Sequence, residues 1–299
     1  MHLGGMAVGG DALVGPGKGE RTAAPRWRRG WTSTYAGVVI DDVAAPQRAV
    51  GGVFFTIMSL TDAIEKAVAL GSRRPEDGIA VHFANAYNVA LADSDPVYAA
   101  LLRAGDLVFT DGLPVAWAGR LLHRDLSSQW ARVYGPDVLA GVLENSNWEN
   151  PRHYFLGATP ETLHALVTRI QARWPEAVIA GFESPPFRSA SAEELVERDA
   201  RIIASGATLV WVGLGTPKQD EEVRRMADSI PVTALAVGAA FDFLAGTKAQ
   251  APLWIQRSGL EWAFRLGTEP RRLAKRYLWG NPRFVLAAIK RRNAFGVRT

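Results

Sequence analysis

The stretch ASGATLVWVGLGTPKQDEEVRRMA (204–227) has the pattern of a buried strand, a glycine-bearing turn and the beginning of a helix. The apolar run Leu209–Val212 predicts the strand, and Gly213 and Gly215 allow the backbone to come close to a ligand. The N–H groups and the dipole at such a junction attract anions. The stretch therefore predicts an α/β protein with an anion site, suited to a phosphate, at this turn.

The helix after this turn carries two start signals. Thr216 favours the N-cap position and Pro217 the first helical position. Gln219 lies three residues after Thr216 and completes a T-x-x-Q capping box, although it also lies where a ligand would bind. Lys218, beside the turn, fits either a phosphate contact or a solvated surface cation.

Elsewhere, strand-like runs alternate with helical segments. The runs are 52–59, 78–83, 106–109, 153–156, 177–180 and 232–237. This alternation predicts βαβ units and a Rossmann-like, mainly parallel sheet flanked by helices. Ligands of such sheets bind beyond the carboxyl ends of the strands. By that rule, the edge of the sheet at the carboxyl ends of its strands, here called the rim, carries Asn85, Asp111, Gly157, Gly213–Gln219 and Gly238–Asp242.

Composition divides the chain into three parts. Residues 1–50 are rich in Gly, Ala, Pro and Arg, which predicts a poorly ordered extension with one short strand at 37–40. Residues 51–252 carry the Rossmann-like pattern. Residues 253–299 have helical periodicity, many Arg and Trp residues and no strand signal, so they predict a helical appendage.

The positive charge is concentrated in this appendage. Residues 257–299 contain eleven Lys or Arg residues and two acids, a net charge of +9, whereas the whole chain carries +4. The excess predicts an anionic partner: anionic lipid, a lipid diphosphate or nucleic acid. Because the rest of the chain is acidic, nucleic acid is the least favoured. The alternative is a solvated helix with Glu261–Arg265 and Arg265–Glu269 pairs.

Several kinds of chemistry lack support. The chain has no cysteine, which excludes disulfides and thiol catalysis. Asp93 and Asp95 form a D-x-D motif, but Asp95 precedes Pro96 and is better explained as an N-cap than as a metal ligand. The histidines lack metal-ligand spacing, and His82 and His153, within strands, are predicted to be structural.

Nucleotide and membrane motifs are also missing. The sequence contains neither a Walker A motif nor a G-x-G-x-x-G fingerprint after a first strand. No apolar run reaches the roughly 18 residues of a membrane-spanning helix. The N-terminal residues lack the apolar segment of a signal peptide, so none is predicted.

Asp111 is the residue most suited to acid–base chemistry. It follows a predicted strand and precedes Gly112. A carboxylate in this place can act as a general base or hold a ribose hydroxyl. A turn or N-cap aspartate has the same sequence pattern, so spacing alone leaves both open.

Five blocks of sequence, taken together, resemble the WecG/TagA/CpsF family of glycosyltransferases. The resemblance covers about residues 52–293, and its last block is the most specific. The blocks are ANAYNVALADSD (84–95), AGDLVFTDGLPVAWAGR (104–120), ARVYGPDVL (131–139), GLGTPKQDEE (213–222) and VGAAFDFLAGTKAQAPLWIQRSGLEWAFRLGTEPRRLAKRY (237–277).

The resemblance implies an inverting glycosyltransferase that needs no metal or other cofactor. Its donor would be a UDP-sugar such as UDP-N-acetylmannosamine, and its acceptor a polyprenyl-diphosphate-linked saccharide in cell-envelope polysaccharide synthesis. By similarity, Asp111 would be the general base and Arg132 would neutralise the leaving diphosphate. The substrate-binding residues would be Asn85, Gly157, Gly213, Gly215, Lys218, Gln219, Gly238, Asp242, Arg265, Arg271 and Arg272.

The resemblance also implies a cytoplasmic enzyme that sits peripherally on the inner face of the cell membrane through its appendage. A homo-oligomer is compatible with it. Two positions depart from the family pattern: Phe83 stands where a T-x-N motif has Thr, and Asp220 where Glu is usual. Two other functions remain open: a nucleotide-dependent oxidoreductase, and a membrane-recruited nucleotide-binding module without catalysis.

Overall fold

Six short apolar runs form one parallel sheet in the computed structural model, which describes residues 45–291. The strands are β3 (Ile79–Ala84), β4 (Leu107–Thr110), β5 (Arg152–Gly157), β6 (Val178–Glu183), β7 (Leu209–Gly213) and β8 (Thr233–Ala236). Their order across the sheet is β4-β3-β8-β7-β5-β6, and every neighbouring pair is parallel. The Rossmann-like α/β prediction is confirmed.

An antiparallel hairpin precedes this sheet. It consists of β1 (Gln47–Val50) and β2 (Val53–Thr56). The Thr56 hydroxyl accepts a hydrogen bond from the Val108 N–H in β4, which fixes the hairpin beside the sheet. The strand predicted from residue 52 is therefore present, but β1 lies just before it, within the range predicted to be poorly ordered. The strand predicted at 37–40 lies outside the described residues.

Helices cover both faces of the sheet. They are α1 (Leu60–Gly71), α2 (Ala86–Ser94), α3 (Pro96–Ala104), α4 (Leu113–Leu122), α5 (Gly135–Glu144), α6 (Pro160–Arg173), α7 (Ala192–Ala204), α8 (Lys218–Ser229), α9 (Ala240–Ala245), α10 (Leu253–Arg257), α11 (Glu261–Thr268) and α12 (Pro270–Lys290). Within the described residues, α10–α12 form the C-terminal appendage, as predicted.

Capping residues set several of these boundaries. Asp95 accepts hydrogen bonds from the N–H groups of Val97 and Tyr98, so its predicted capping role is confirmed. Ser191 and Glu194 form a reciprocal capping box at the beginning of α7. The Ser59 hydroxyl caps α1 by accepting a hydrogen bond from the Asp62 N–H.

The strands are buried on both faces, which explains their nearly continuous apolar sequences. Trp211 and Phe155 point into one layer, and Val210 and Val212 into the other. The Trp211 indole donates a hydrogen bond to Nδ1 of His153, at 3.0 Å. Burial lowers the pKa of His153 to about 3, so its ring is neutral and serves as a structural acceptor, as predicted.

The other strand histidine joins the beginning of α8 to the sheet. Nδ1 of His82 lies 3.0 Å from one Asp220 carboxylate oxygen, and the Tyr98 hydroxyl donates to the other at 2.9 Å. His82 and Asp220 are fully buried. Asp220, one of the two departures from the family pattern, therefore has a structural role beneath the rim.

The last helix packs along α2. Leu273, Gly280, Phe284 and Ala287 form the buried side of α12. Asp93, from the D-x-D motif, forms ion pairs with Arg283 on this helix and with Arg291, the residue that follows its end. In the D-x-D motif, Asp95 therefore caps a helix, and Asp93 holds α12 in place.

Gly157→Ala should lower the free energy of unfolding by about 2–4 kcal/mol. Its φ is +123°, and an added Cβ would lie 2.6 Å from the Gly213 backbone on the adjacent strand. Urea denaturation measures the loss. Gly267→Ala within α11 is the control, since no atom lies within 4 Å of the added Cβ. Similar losses in both variants would contradict the packing argument.

Candidate functional site

The predicted rim residues lie together at the carboxyl edge of the sheet. Asn85 follows β3, Asp111 follows β4, Gly157 ends β5, Gly213 ends β7, and Gly238 follows β8 by two residues. Their positions agree with the rule that ligands of parallel sheets bind at this edge. The rim encloses a central cleft of about 350 Å³.

Most of the predicted site residues line this central cleft. They are Asn85, Asp111, Gly213, Gly215, Gln219, Gly238, Asp242, Arg265 and Arg272. Gly157 contacts the Gly213 backbone instead of the cleft, and Lys218 lines a separate outer cavity. Arg271 is exposed and does not line the cleft. Arg132 lines an adjoining cavity.

The glycine turn is held open by Gln219. Gly215 has a φ of +79° and no atom within 4 Å of an added Cβ. The Gln219 side-chain oxygen accepts a hydrogen bond from the Gly215 N–H at 3.0 Å, and its amide nitrogen donates to the Ala236 carbonyl at 3.3 Å. The turn is thereby fastened to the end of β8.

The predicted capping box of Thr216 and Gln219 is wrong. The helix begins at Lys218 with Pro217 at the N-cap, and no side chain caps it. Gln219 is almost fully buried, because its side chain turns towards the sheet and fastens the turn. A buried amide must pair its polar atoms, and the sheet offers partners that the helix start does not.

The Asp111 carboxylate is held at the beginning of α5 and does not cap α4, the helix that follows it directly in the chain. Oδ1 accepts a hydrogen bond from the Gly135 N–H at the start of α5, at 3.0 Å, whereas α4 has Gly112 at its N-cap. Oδ2 lies 3.4 Å from the Asn85 side-chain nitrogen. Burial raises the pKa of Asp111, Glu261 raises it further, and Arg132, the Gly135 N–H and Asn85 oppose the shift.

Asn85 orients this carboxylate. Its side-chain oxygen accepts a hydrogen bond from the Tyr87 N–H at 3.0 Å and caps α2. The other end of the amide, the NH₂ group, is then directed at Asp111. The Asp111 carboxylate is therefore a fixed proton acceptor with a higher proton affinity than an exposed aspartate has.

A second, smaller cavity adjoins the cleft on the appendage side, and we call it the appendage cavity. Its volume is about 90 Å³. Leu113, Pro114, Trp262 and Tyr277 form part of its wall. It shares five residues with the central cleft: Asn85, Asp111, Tyr134, Arg265 and Arg276. Asp111 therefore lies where the two cavities meet.

Arg132 connects the Rossmann-like part to the appendage. Its Nε donates to the Asp111 carbonyl at 3.0 Å, and its guanidinium forms an ion pair with Glu261 of α11. The Tyr134 hydroxyl donates to the same carboxylate at 2.7 Å, and the guanidinium lies 3.7 Å from the centre of the Tyr134 ring. Glu261 is thus the anion that Arg132 meets in this structure.

The predicted Glu261–Arg265 and Arg265–Glu269 pairs are not present. Glu261 contacts Arg132, and Glu269 pairs with Lys248 and Arg272. The guanidinium of Arg265 lies 5.7 Å from the centre of the Phe243 ring. Sequence spacing within the appendage could not predict the contacts with Arg132, Lys248 and Phe243, because these three residues belong to the Rossmann-like part.

Arg276 was not predicted, and it has the most unusual environment in the site. Its guanidinium lies 4.3 Å from the centre of the Tyr87 ring, and its Nε is buried without a hydrogen-bond partner. Within the described part of the chain, no carboxylate pairs with it. Burial lowers the pKa of Arg276, and the charges of Arg265 and Arg272 lower it further. A partly buried cation that lines both cavities and has no carboxylate partner in this part of the chain suits an anionic ligand.

Two further charged residues of the cleft, Asp242 and Lys248, pair with each other. Lys248 lies 2.9 Å from the Asp242 carboxylate, so Asp242, a predicted substrate-binding residue, has a cationic partner within the cleft. Phe83, the other departure from the family pattern, is nearly buried beneath the rim and packs on Phe109. Among residues 45–291, no group of three or more His, Asp or Glu side chains is arranged to hold a metal ion.

Comparison with known proteins identifies the family. The model of the glycosyl transferase WecG/TagA/CpsF family matches residues 48–296. The chain belongs to this family. The match includes the Rossmann-like part and the described appendage, so both belong to one glycosyltransferase.

One curated relative of this glycosyltransferase comes from Bacillus spizizenii (strain W23). It is named N-acetylglucosaminyldiphosphoundecaprenol N-acetyl-β-D-mannosaminyltransferase. The two sequences are 28% identical over 204 residues, which cover 68% of this chain and 76% of the relative.

Arg132→Leu should destabilise the protein by about 1–3 kcal/mol, because it leaves the partly buried Glu261 carboxylate without its cation. Combining it with Glu261→Gln should recover part of this loss, with a coupling energy of about 0.5–3 kcal/mol in urea denaturation. The exposed Arg188–Glu194 pair is the control, where the same replacements should couple by less than about 1 kcal/mol. Additive effects at Arg132 and Glu261 would contradict the proposed link.

Proposed function

We propose that this glycosyltransferase moves a sugar from a UDP-sugar to a polyprenyl-diphosphate-linked saccharide during cell-envelope polysaccharide synthesis. The observation that carries the proposal is the position of Asp111 between two cavities. One has a glycine turn suited to a diphosphate, and the other opens towards the appendage. The name of the Bacillus relative, which specifies a diphosphoundecaprenol acceptor, supports the same reaction class.

The donor occupies the central cleft in this proposal. Its diphosphate lies against the open glycine turn at Gly213–Gly215, near Gly238. Arg265, Arg272 and Arg276 line the same cleft, together with Lys248, which pairs with Asp242. Backbone N–H groups and guanidinium groups both stabilise phosphate oxygens, and the negative charge increases when the diphosphate leaves.

The acceptor approaches from the appendage cavity. Asp111 accepts the proton of the acceptor hydroxyl while that oxygen forms a bond to the anomeric carbon of the donor sugar. The bond between this carbon and the diphosphate oxygen breaks on the opposite side, and UDP leaves with the electron pair. Attack from the side opposite the leaving group inverts the anomeric configuration.

In this proposal, arginine side chains stabilise the negative charge of the leaving diphosphate. Arg132 stays next to Asp111, where its Nε contacts the Asp111 carbonyl, but Glu261 already compensates its charge. Among residues 45–291, Arg276 has no carboxylate partner, and it lines both cavities, so it is suited to meet a diphosphate. Asn85 and Gln219 act as positioning residues, since one orients the Asp111 carboxylate and the other fastens the glycine turn.

The acceptor lipid requires a membrane surface, and the appendage has apolar residues for it. Leu278, Val285, Leu286 and Ile289 are exposed along one side of α12. A second exposed group extends from the appendage onto α4: Trp117, Leu121, Leu253, Trp254 and Leu260. None of the described helices combines the length and hydropathy needed to span a bilayer. The proposed contact is therefore peripheral, on the inner face of the cell membrane.

Asp111→Asn should lower sugar transfer by about 10²–10⁴-fold, because the amide cannot accept the acceptor proton. UDP binding should remain, which isothermal titration calorimetry measures. In the wild type, kcat/KM should decrease as the pH is lowered, because Asp111 must be ionised to accept a proton. The decrease should follow one apparent pKa above the ordinary value of aspartate, because burial raises the pKa of Asp111. The assay combines several UDP-sugars with an acceptor saccharide that is linked through a diphosphate to a short polyprenyl chain.

Two outcomes would contradict this assignment. Transfer by Asp111→Asn at the wild-type rate would exclude the general-base role. A wild-type protein that binds UDP but neither transfers nor slowly hydrolyses any UDP-sugar would favour a non-catalytic nucleotide-binding module. Asp106→Asn is the control, because its carboxylate accepts from the Ala80 N–H at the opposite end of the strands.

Leu286→Ser combined with Ile289→Ser should reduce binding to anionic lipid vesicles about tenfold or more, because it removes two exposed apolar side chains from the proposed membrane side. Vesicle sedimentation measures the bound fraction. The control is Val97→Ser combined with Val196→Ser, on exposed parts of α3 and α7. Equal binding by both double variants would contradict a role for this side of α12.

A further inference from the structure

The loop between β6 and α7 presents an aromatic ring to solvent. The side chain of Phe187 is 93% exposed, more than any other large hydrophobic residue of the described chain. The same ring lines the central cleft. It follows β6, which is one edge strand of the sheet, whereas Asp111 follows β4, the other edge strand. The ring also lines the outer cavity with Lys218, so it separates two neighbouring cavities. Ligand pockets are lined mainly by apolar and aromatic side chains, so the place of this ring in the cleft wall makes it a candidate ligand contact.

The loop that carries Phe187 is constrained by its own contacts. The Ser184 hydroxyl donates to the Ala158 carbonyl at 2.7 Å, which joins the loop to the end of β5. Pro185 and Pro186 restrict the backbone before Phe187. After it, Arg188 makes a two-pronged ion pair with Glu194, at 2.7 and 2.5 Å. The ring is therefore held at the edge of the cleft by a fastened loop.

The strand order shows which part of a sugar nucleotide reaches this ring. From β4, which precedes Asp111, to β6, which precedes Phe187, the sheet has five strand spacings, or about 24 Å. In the proposed reaction, the sugar lies near Asp111 and the diphosphate lies at the glycine turn after β7. The nucleoside must then extend past β5 towards β6. Ala158, Thr159 and Phe187 line the cleft there.

The other aromatic residues of the cleft are occupied. Phe241 is buried and packs edge-on against Phe155, with ring centres 5.6 Å apart. Phe243 lies beneath the guanidinium of Arg265. Phe83 packs on Phe109. Phe187 has no ring partner among the described residues, so both of its faces are available.

We propose that Phe187 is the residue on which the nucleobase of the donor stacks, and that it contributes to nucleotide affinity independently of the diphosphate. This inference rests on the proposed function for the direction of the donor in the cleft. Aromatic stacking suits a nucleobase because every base offers an apolar face. The outer cavity on the other side of the ring gives the base room to lie on either face.

Calorimetric binding of UDP and of inorganic pyrophosphate to the full chain tests this. Phe187→Ala should weaken UDP binding at least about fivefold, in line with the loss of one base stack, and leave pyrophosphate binding unchanged. Phe187→Tyr should bind UDP as the wild type does. Trp148→Ala is the matched control, because Trp148 is an exposed aromatic residue outside the cleft and should leave both affinities unchanged.

Three results would overturn the inference. If Phe187→Ala binds UDP as tightly as the wild type, the base does not stack on this ring, and the proposed transfer reaction is unaffected. If it loses UDP and pyrophosphate binding equally, the residue supports the shape of the cleft instead. If the wild type binds pyrophosphate but not UDP, the proposed donor and the stacking role both fail. Wild-type activity is measured separately, so failure of transfer alone is distinguishable from failure of stacking.

Discussion

The hydrogen bond between the Asp111 carboxylate and the Gly135 N–H is the contact on which the arrangement of the site depends. It joins the end of β4 to the beginning of α5, and so brings the intervening segment with Arg132 and Tyr134 over the rim. These two side chains then hold Glu261 of the appendage. One buried carboxylate thus connects the sheet, a helix start and the appendage. A residue in this place can act chemically only if its geometry is preserved by several neighbours, as it is here.

The balance of charge around this carboxylate is also informative. Burial alone would favour its neutral form, whereas a general base must be ionised at the working pH. Arg132 and two hydrogen-bond donors counter the cost of burial, and Glu261 limits how far Arg132 does so. Arg276 has no carboxylate partner among residues 45–291, and its Nε lacks a hydrogen bond, so a positive charge lies where a diphosphate would bring negative charge. The protein therefore contributes the cation, and a diphosphate would supply its missing counter-charge.

The fold and the positions of the rim residues could be predicted because they depend on local patterns. The run at Leu209–Val212 and the glycines after it determine a strand and a turn without reference to the rest of the chain. The partners of Gln219 and Arg132 could not be predicted in this way. Gln219 had a favourable local partner in Thr216 but pairs with Gly215 and the end of β8, because burial required both ends of its amide to be satisfied.

Glu261 lies 129 residues from Arg132, and its spacing to Arg265 suggested a local pair that does not form. Arg276 carried no signal beyond its positive charge, since what distinguishes it is its place between the two cavities without a carboxylate partner in the described part of the chain. Phe187, similarly, is an ordinary loop residue in the sequence. The topology of the sheet places it at the end of the cleft opposite Asp111.

The sharing of five lining residues by the two cavities has a kinetic consequence. Water can reach Asp111 by the same path as an acceptor hydroxyl, and an activated water would cleave the donor without productive transfer. If the central cleft holds the proposed nucleotide sugar, its survival there would depend on which cavity fills first and on how completely the acceptor excludes solvent. The shared wall thereby links the order of substrate binding to the ratio of transfer to wasteful hydrolysis.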